Sequence, residues 1–162
     1  MERCVRELWN ASGRACDEEF PQDLAPLARL YLRGQVSVAT YFACEGIRKL
    51  MRDVFSDRDL TLKTIEAGFD WTISEVLPGN PKIERGDEPD EFIMVMGGLY
   101  ELIYVYLTRG DVLDVATCAL PCIMVFGRMF EVDVNEDELK AYALDRTQLD
   151  RLSHRALELV PW

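Results

Sequence analysis

The chain has 162 residues, an apolar fraction of 49% and a formal net charge of −11. A chain of this length forms about one domain with a proper hydrophobic core, and its apolar fraction argues against disorder. Because 29 acidic residues outnumber 18 basic ones, the surface repels phosphate backbones and anionic lipid headgroups. The composition therefore predicts one domain over residues 1–162 that binds neither nucleic acid nor an anionic membrane.

The cysteines indicate a reducing compartment. There are five of them, an odd number, and none stands in a C-x-x-C spacing, which is typical of free thiols. Charged residues interrupt the start of the chain at Glu2, Arg3, Arg6 and Glu7, so no signal peptide is predicted. We expect a cytoplasmic protein.

Apolar residues recur at helical spacing along most of the chain, and strict alternation is rare. A first short stripe is predicted to close at Ser12-Gly13. A second helix begins at Pro21-Gln22-Asp23 and stops at Gly34, a residue type that commonly ends helices. A third helix is predicted from about Val36 to Phe55.

A fourth helix is predicted after Ser56 and Asp57, which are good N-cap residues. It ends at Pro78-Gly79-Asn80-Pro81, and a charged loop from Lys82 to Pro89 follows. Near the carboxyl end, one or two polar helices are predicted over Asn135–Asp145 and Gln148–Leu159.

Two long apolar segments lie between these parts, at Phe92–Leu107 and Val112–Phe130. A helix that is hydrophobic on all sides is enclosed by its neighbours, so the two segments are predicted to form a buried helical hairpin. In the turn Arg109-Gly110-Asp111, glycine supplies a left-handed residue and Asp111 the next cap. The whole chain is thus predicted to be an all-α, single-domain bundle of about seven helices around a central apolar hairpin.

Two other structures, β-strands and a membrane span, are alternatives for the apolar segments. Ile93–Met96 and Ile103–Tyr106 have the composition of buried β-strands, but the length of the segments favours helices. A membrane span needs roughly 20 largely uninterrupted apolar residues. Glu101 interrupts the first segment and Asp114, Pro121 and Arg128 interrupt the second, so no membrane span is predicted.

No catalytic, metal or cofactor motif is assembled in the sequence. The only histidine, His154, lies between Ser153 and Arg155 in a polar stretch and is predicted to be a surface residue. A zinc site commonly uses four Cys or His ligands at short spacings, and none is present. An acidic cluster lies between Glu84 and Glu91 and is typical of a solvated loop before a helix. We therefore expect a protein that is not an enzyme and holds no metal and no cofactor.

Amphipathic helices around an apolar hairpin resemble the Bcl-2 family of apoptosis regulators, above all its compact and divergent viral members. Met51-Arg52-Asp53-Val54-Phe55 matches the apolar, x, Asp, x, apolar core of the family's own death-motif helix. Phe69–Gly79 is similar to the helix before the family's central hairpin, and Gly97-Gly98 to the small pair in its central helix. The family's Asn-Trp-Gly-Arg signature is absent, and Pro89-Asp90-Glu91 stands in its place.

The resemblance implies a pro-survival protein of the host cell cytoplasm. Such a protein holds the amphipathic death-motif helix of a pro-apoptotic protein in an apolar groove and so inhibits apoptosis. The groove is expected between the third, fourth and central helices, where Arg85 is the nearest cation that would replace the family's arginine. The predicted groove residues are Leu50, Met51, Val54, Phe55, Phe69, Ile73, Arg85 and Met96.

Two functions of other classes stay open. An acidic helical chaperone or immunity-type protein that masks a basic partner would bind with an affinity that falls steeply with salt. An enzyme would need two carboxylates that face each other in a deep cleft. A groove also exposes apolar surface, so a homodimer is possible.

Overall fold

The computed structural model describes residues 2–71 and 90–161, and these residues form helices and no strand. The described elements are the helices α1 (Glu2–Glu19), α2 (Pro26–Phe42), α3 (Glu45–Ser56), α4 (Arg58–Trp71), α5 (Asp90–Arg109), α6 (Val115–Met129), α7 (Glu136–Lys140) and α8 (Arg146–Glu158). The prediction of an all-α bundle is confirmed, with eight helices in the described ranges. The alternative of β-strands is wrong, because both candidate segments lie inside α5.

The predicted end of the first helix at Ser12-Gly13 is wrong, since α1 continues to Glu19. Both residues are buried where α1 meets α2. The hydroxyl of Ser12 donates to the carbonyl of Leu8 over 2.9 Å, which satisfies it inside the helix. A Cβ at Gly13 would lie 3.4 Å from the guanidinium carbon of Arg33. These small residues therefore allow a close helix contact and do not stop a helix.

The second and third predicted helices have different bounds in the structure. Helix α2 begins with Pro26 in its first turn and continues through Gly34 to Phe42, and the chain then bends at Cys44, which is extended. Glycine inside a helix costs about 1 kcal/mol relative to alanine, and the extensive burial of α2 outweighs that cost. At the bend, the Arg48 side chain donates to the carbonyl of Phe42 over 2.9 Å.

Helix α2 occupies the centre of the bundle. Twelve of its 17 residues are buried, and it packs against α1, α3, α6, α7 and α8. Helix α5 packs against α3, α4 and α6, and it leaves Met94 74% and Leu102 38% exposed. The prediction that the apolar hairpin is central and enclosed on all sides is therefore wrong for α5. The helix that is enclosed, α2, has the polar residues Arg33 and Gln35 among its buried side chains.

Polar side chains tie this central helix to both ends of the chain. Gln35 is fully buried; its amide oxygen accepts from the backbone of Leu144 over 2.8 Å, and its amide nitrogen donates to the carbonyl of Tyr142 over 3.1 Å. One guanidinium nitrogen of the buried Arg33, Nη2, donates to both carboxylate oxygens of Asp17 of α1, over 2.6 and 2.5 Å. Burial of these groups is tolerated because each has a partner.

The structure confirms some of the predicted helix ends and corrects one predicted cap. Asp57 accepts hydrogen bonds from the backbone of Asp59 and Leu60, as predicted for the start of α4. Gly110 is left-handed, with φ of 74°, which is also confirmed. The cap of α6 is Asp114, which accepts from the backbone of Thr117, so the prediction of Asp111 is wrong. The polar closing helices are confirmed as α7 and α8.

Helix α5 is also relevant to the prediction that no segment crosses a membrane. It is the one helix in the described ranges that is long and apolar enough to span a bilayer. Core helices of soluble proteins have the same composition, although only 28% of the most apolar window of α5 is buried. The absence of a membrane span stays a prediction.

Candidate binding surfaces

The structure brings most of the predicted groove residues together, but inside the bundle. Met51, Val54, Phe55, Phe69 and Met96 belong to one hydrophobic core cluster, and the half-buried Leu50 packs against it. None of these five is more than 8% exposed. Ile73 and Arg85 lie outside the described residues. In the structure, other parts of the bundle cover the apolar side chains of the five buried residues. That these residues line a groove stays a prediction.

Aromatic stacking explains why this cluster is closed. The ring of Phe55 stacks on Tyr100 of α5, with centroids 4.8 Å apart, and meets the edge of Tyr41 of α2 at 5.9 Å. Phe69 of α4 meets the edge of Phe92 at 4.8 Å. Such pairs add to the stabilisation from buried area alone. They fix α3 and α4 onto the inner side of α5.

The outer side of α5 is the largest departure from the predicted burial. Met94, Gly98 and Leu102 are exposed, and Val105 is partly exposed. Their spacing of four, four and three residues places them on one side of the helix. Glu101 is exposed beside them. We call the surface formed by Met94, Gly98, Glu101, Leu102 and Val105 the α5 outer face.

The pair Gly97-Gly98 lies on and beside this face. Paired glycines inside an apolar helix commonly mark the close approach of another helix. A Cβ built at either glycine meets no atom within 4 Å, so none of the helices described for residues 2–71 and 90–161 makes that approach. Among these residues, the space beside the two glycines is open.

A cavity of about 400 Å³ lies where the end of α2, the α5–α6 turn and α8 meet. Its lining is mixed, with apolar side chains such as Phe42 and Leu149 beside the charged or polar Arg48, Asp111 and His154. His154 is exposed, as predicted, and its Nδ1 lies 2.7 Å from the carbonyl of Asp150. That contact occupies one ring nitrogen with a main-chain carbonyl.

The described cysteines and metal-ligating groups show no assembled reactive site. Burial raises the pKa of the Cys16 thiol to about 12 and that of Cys122 to about 11. A thiol with a raised pKa is a poor nucleophile at neutral pH. Within residues 2–71 and 90–161, no three side chains of His, Cys, Asp or Glu come together as a metal site.

Sequence reasoning missed two features of these surfaces. The exposure of the α5 outer face was not predicted, because a helix that is apolar on all sides is typical of a core helix. Only the positions of the neighbouring helices show which side of α5 is exposed. The buried Tyr41 and Tyr100 also line a cleft together with residues of α1 and α4. Their placement there depends on contacts between α1, α2, α4 and α5, for which no sequence motif exists.

Comparison with known protein families, curated proteins and solved structures finds no match to this chain. The class defined by the structure is therefore an acidic, all-α helical bundle with α2 at its centre and an open apolar face on α5.

Proposed function

We propose that the chain is an interaction protein that binds an amphipathic helix of another protein along the α5 outer face. The observation that carries this proposal is the exposure of Met94, at 74%, next to Gly98 and Leu102 on one side of an apolar helix. Exposed apolar patches of this kind are typical of protein–protein contacts. A partner helix would pack its own apolar stripe against this face.

The chemistry of the face indicates what the partner carries. The open space at Gly97-Gly98 admits a helix backbone at short distance. Methionine adapts its shape to different apolar partners. The exposed carboxylate of Glu101 favours a partner with a lysine or arginine beside its apolar stripe. Through the resemblance to the Bcl-2 family, we propose a pro-apoptotic protein's death-motif helix as that partner, with suppression of cell death in the cytoplasm as the consequence.

The test is a titration of fluorescently labelled death-motif peptides by the purified chain, read by anisotropy. A scrambled peptide of the same composition, without an apolar stripe, is the ligand control. We expect saturable binding of death-motif peptides only, with little change between low and high salt. Absence of binding at tens of micromolar would refute the proposal. Equal binding of unrelated amphipathic helices would refute the death-motif assignment alone.

Matched variants locate the site. Met94→Glu and Gly98→Leu alter the α5 outer face, and neither position has an internal neighbour that the new side chain must displace. Each is expected to weaken binding about tenfold or more. Val112→Glu is the control, because Val112 has the same 74% exposure but lies in the turn after α5. An equal loss in the control variant would place the binding elsewhere.

A second candidate, the masking of a basic partner by an acidic bundle, is favoured by the net charge of −11. It predicts binding that falls steeply with salt and does not depend on Met94. The same titration distinguishes it. Self-association through the same face is detected by sedimentation of the unliganded chain, and Met94→Glu would abolish it.

A further inference from the structure

A second opening lies away from the α5 outer face, between α1 and α4. It is a cleft of about 110 Å³, which we call the α1–α4 cleft. Val5, Trp9, Ala67 and Gly68 give it apolar walls, and Tyr41 and Tyr100 reach it from α2 and α5. A Cβ at Gly68 would meet nothing within 4 Å, so the glycine leaves room along the wall formed by α4. An engineered protein cavity of about 150 Å³ binds benzene, and the α1–α4 cleft is of comparable size.

The charge of the cleft is opposite to that of the whole protein. Arg6 and Lys63 line it, and no carboxylate does so among the described residues. Both side chains are exposed, so they lie at its mouth. The whole chain has 29 acidic and 18 basic residues, but the charged residues that line the cleft in the described structure are two cations. Such a lining favours an anionic ligand.

Tyr41, which lines the cleft, carries a buried hydroxyl without a partner in the described structure. Tyr41 is 1% exposed, and within the described structure its hydroxyl makes no hydrogen bond. Buried hydroxyls nearly always have a partner, and leaving one without a partner costs free energy. Burial raises the pKa of Tyr41 well above its ordinary value, so the hydroxyl keeps its proton and can donate it to an acceptor.

We propose that the α1–α4 cleft binds a small aromatic carboxylate whose ring carries a hydrogen-bonding group. The ring lies between Trp9 and Tyr100, and the carboxylate pairs with Arg6 and Lys63. The ring substituent accepts the hydrogen bond of the Tyr41 hydroxyl. This inference is independent of helix binding by the α5 outer face, because the two surfaces share none of the residues named for them.

The experiment uses 4-hydroxyphenylacetate, phenylacetate and 4-hydroxybenzyl alcohol as probes on the full chain. Binding is measured by saturation-transfer NMR and by isothermal titration. We expect 4-hydroxyphenylacetate to bind with a dissociation constant of about 1 mM or lower. We expect phenylacetate, which lacks the ring hydroxyl, and the alcohol, which lacks the carboxylate, each to bind at least severalfold more weakly.

Variants assign the contacts. Tyr41→Phe is expected to remove the preference for 4-hydroxyphenylacetate over phenylacetate, and Lys63→Ala to remove the preference for the acid over the alcohol. Gly68→Leu fills the cleft and is expected to abolish binding of all three probes. Lys49→Ala, at an exposed lysine on α3, is the control and leaves binding unchanged.

Should Gly68→Leu fail to fold, the two selectivity variants, Tyr41→Phe and Lys63→Ala, decide alone. Absence of saturable binding, which means that the cleft holds only water, overturns the proposal, as do selectivities that Tyr41→Phe and Lys63→Ala leave unchanged.

Discussion

The substitution Gln35→Leu tests whether one buried amide holds the centre of the bundle to its carboxyl-terminal part. Gln35 is fully buried on α2, and its hydrogen bonds reach residues more than 100 positions away in sequence, at Tyr142 and Leu144. Leucine has a similar volume and keeps the apolar contacts. The variant therefore isolates the loss of the polar interactions.

The expected cost follows from the groups that lose their partner. The backbone N–H of Leu144 donates to Gln35 over 2.8 Å, and Leu144 is only 7% exposed, so water does not replace the amide oxygen. A buried donor without a partner costs about 1–3 kcal/mol. The carbonyl of Tyr142 also loses its donor, and Tyr142 is half-buried, which adds about 1 kcal/mol. Gln35→Leu is therefore expected to lower the free energy of unfolding by about 2–4 kcal/mol.

Urea unfolding followed by circular dichroism measures this change, and amide hydrogen exchange locates it. Protection of the Leu144 amide is expected to fall the most. Gln22→Leu is the matched control, because Gln22 is exposed and donates one hydrogen bond to the carbonyl of Asp17 over 3.0 Å; we expect it to change stability by less than about 0.5 kcal/mol. Equal effects of the two variants would refute the reasoning.

Three further changes address packing and protonation. Gly34→Ala is expected to stabilise the fold by about 1 kcal/mol in urea unfolding, because Gly34 is inside α2 and a Cβ there meets nothing within 4 Å. Gly127→Ala is expected to destabilise it by about 1–3 kcal/mol, because the new Cβ overlaps the side chain of Val134; the double variant with Val134→Ala should recover most of the loss. The third change is alkaline pH. Burial raises the pKa of Cys16 from 9.0 to about 12, so the folded state holds a proton that the unfolded state releases, and stability falls as pH rises from about 9 to about 12. Cys16→Ala is expected to make urea midpoints less dependent on pH in this window, and an unchanged slope would contradict the assignment.

The helix content of the chain could be predicted from residue spacing, but several helix ends could not. Glycine commonly ends helices, so the sequence predicts a stop at Gly34, yet α2 continues for eight more residues to Phe42. The stop predicted at Ser12 and Gly13 is wrong in the same way. In both places the local cost is about 1 kcal/mol or less, and tertiary packing supplies more than that. Local propensity therefore places the helices better than it places their ends.

The binding surfaces were less predictable than the helices. Met51, Phe55 and Met96, which the resemblance assigns to one groove, belong to one core cluster in the structure. The sequence could not show that their apolar side chains are covered. The sequence also does not indicate that Met94 is exposed or that the Tyr41 hydroxyl lacks a partner. Both features depend on which helices pack around α5 and α2.

The sequence by itself determined the helical class, the acidity, the cap at Asp57 and the left-handed turn at Gly110, because each depends on interactions within a few residues or on composition alone. Only the tertiary structure decided that α2 is central and that α5 is open on one side. Hydrophobicity drives burial without direction, so two apolar helices compete for the centre of one bundle. The contacts of α2 with α1, α6 and α8, reinforced by the buried Arg33 and Gln35, give that place to α2 and leave the α5 outer face exposed.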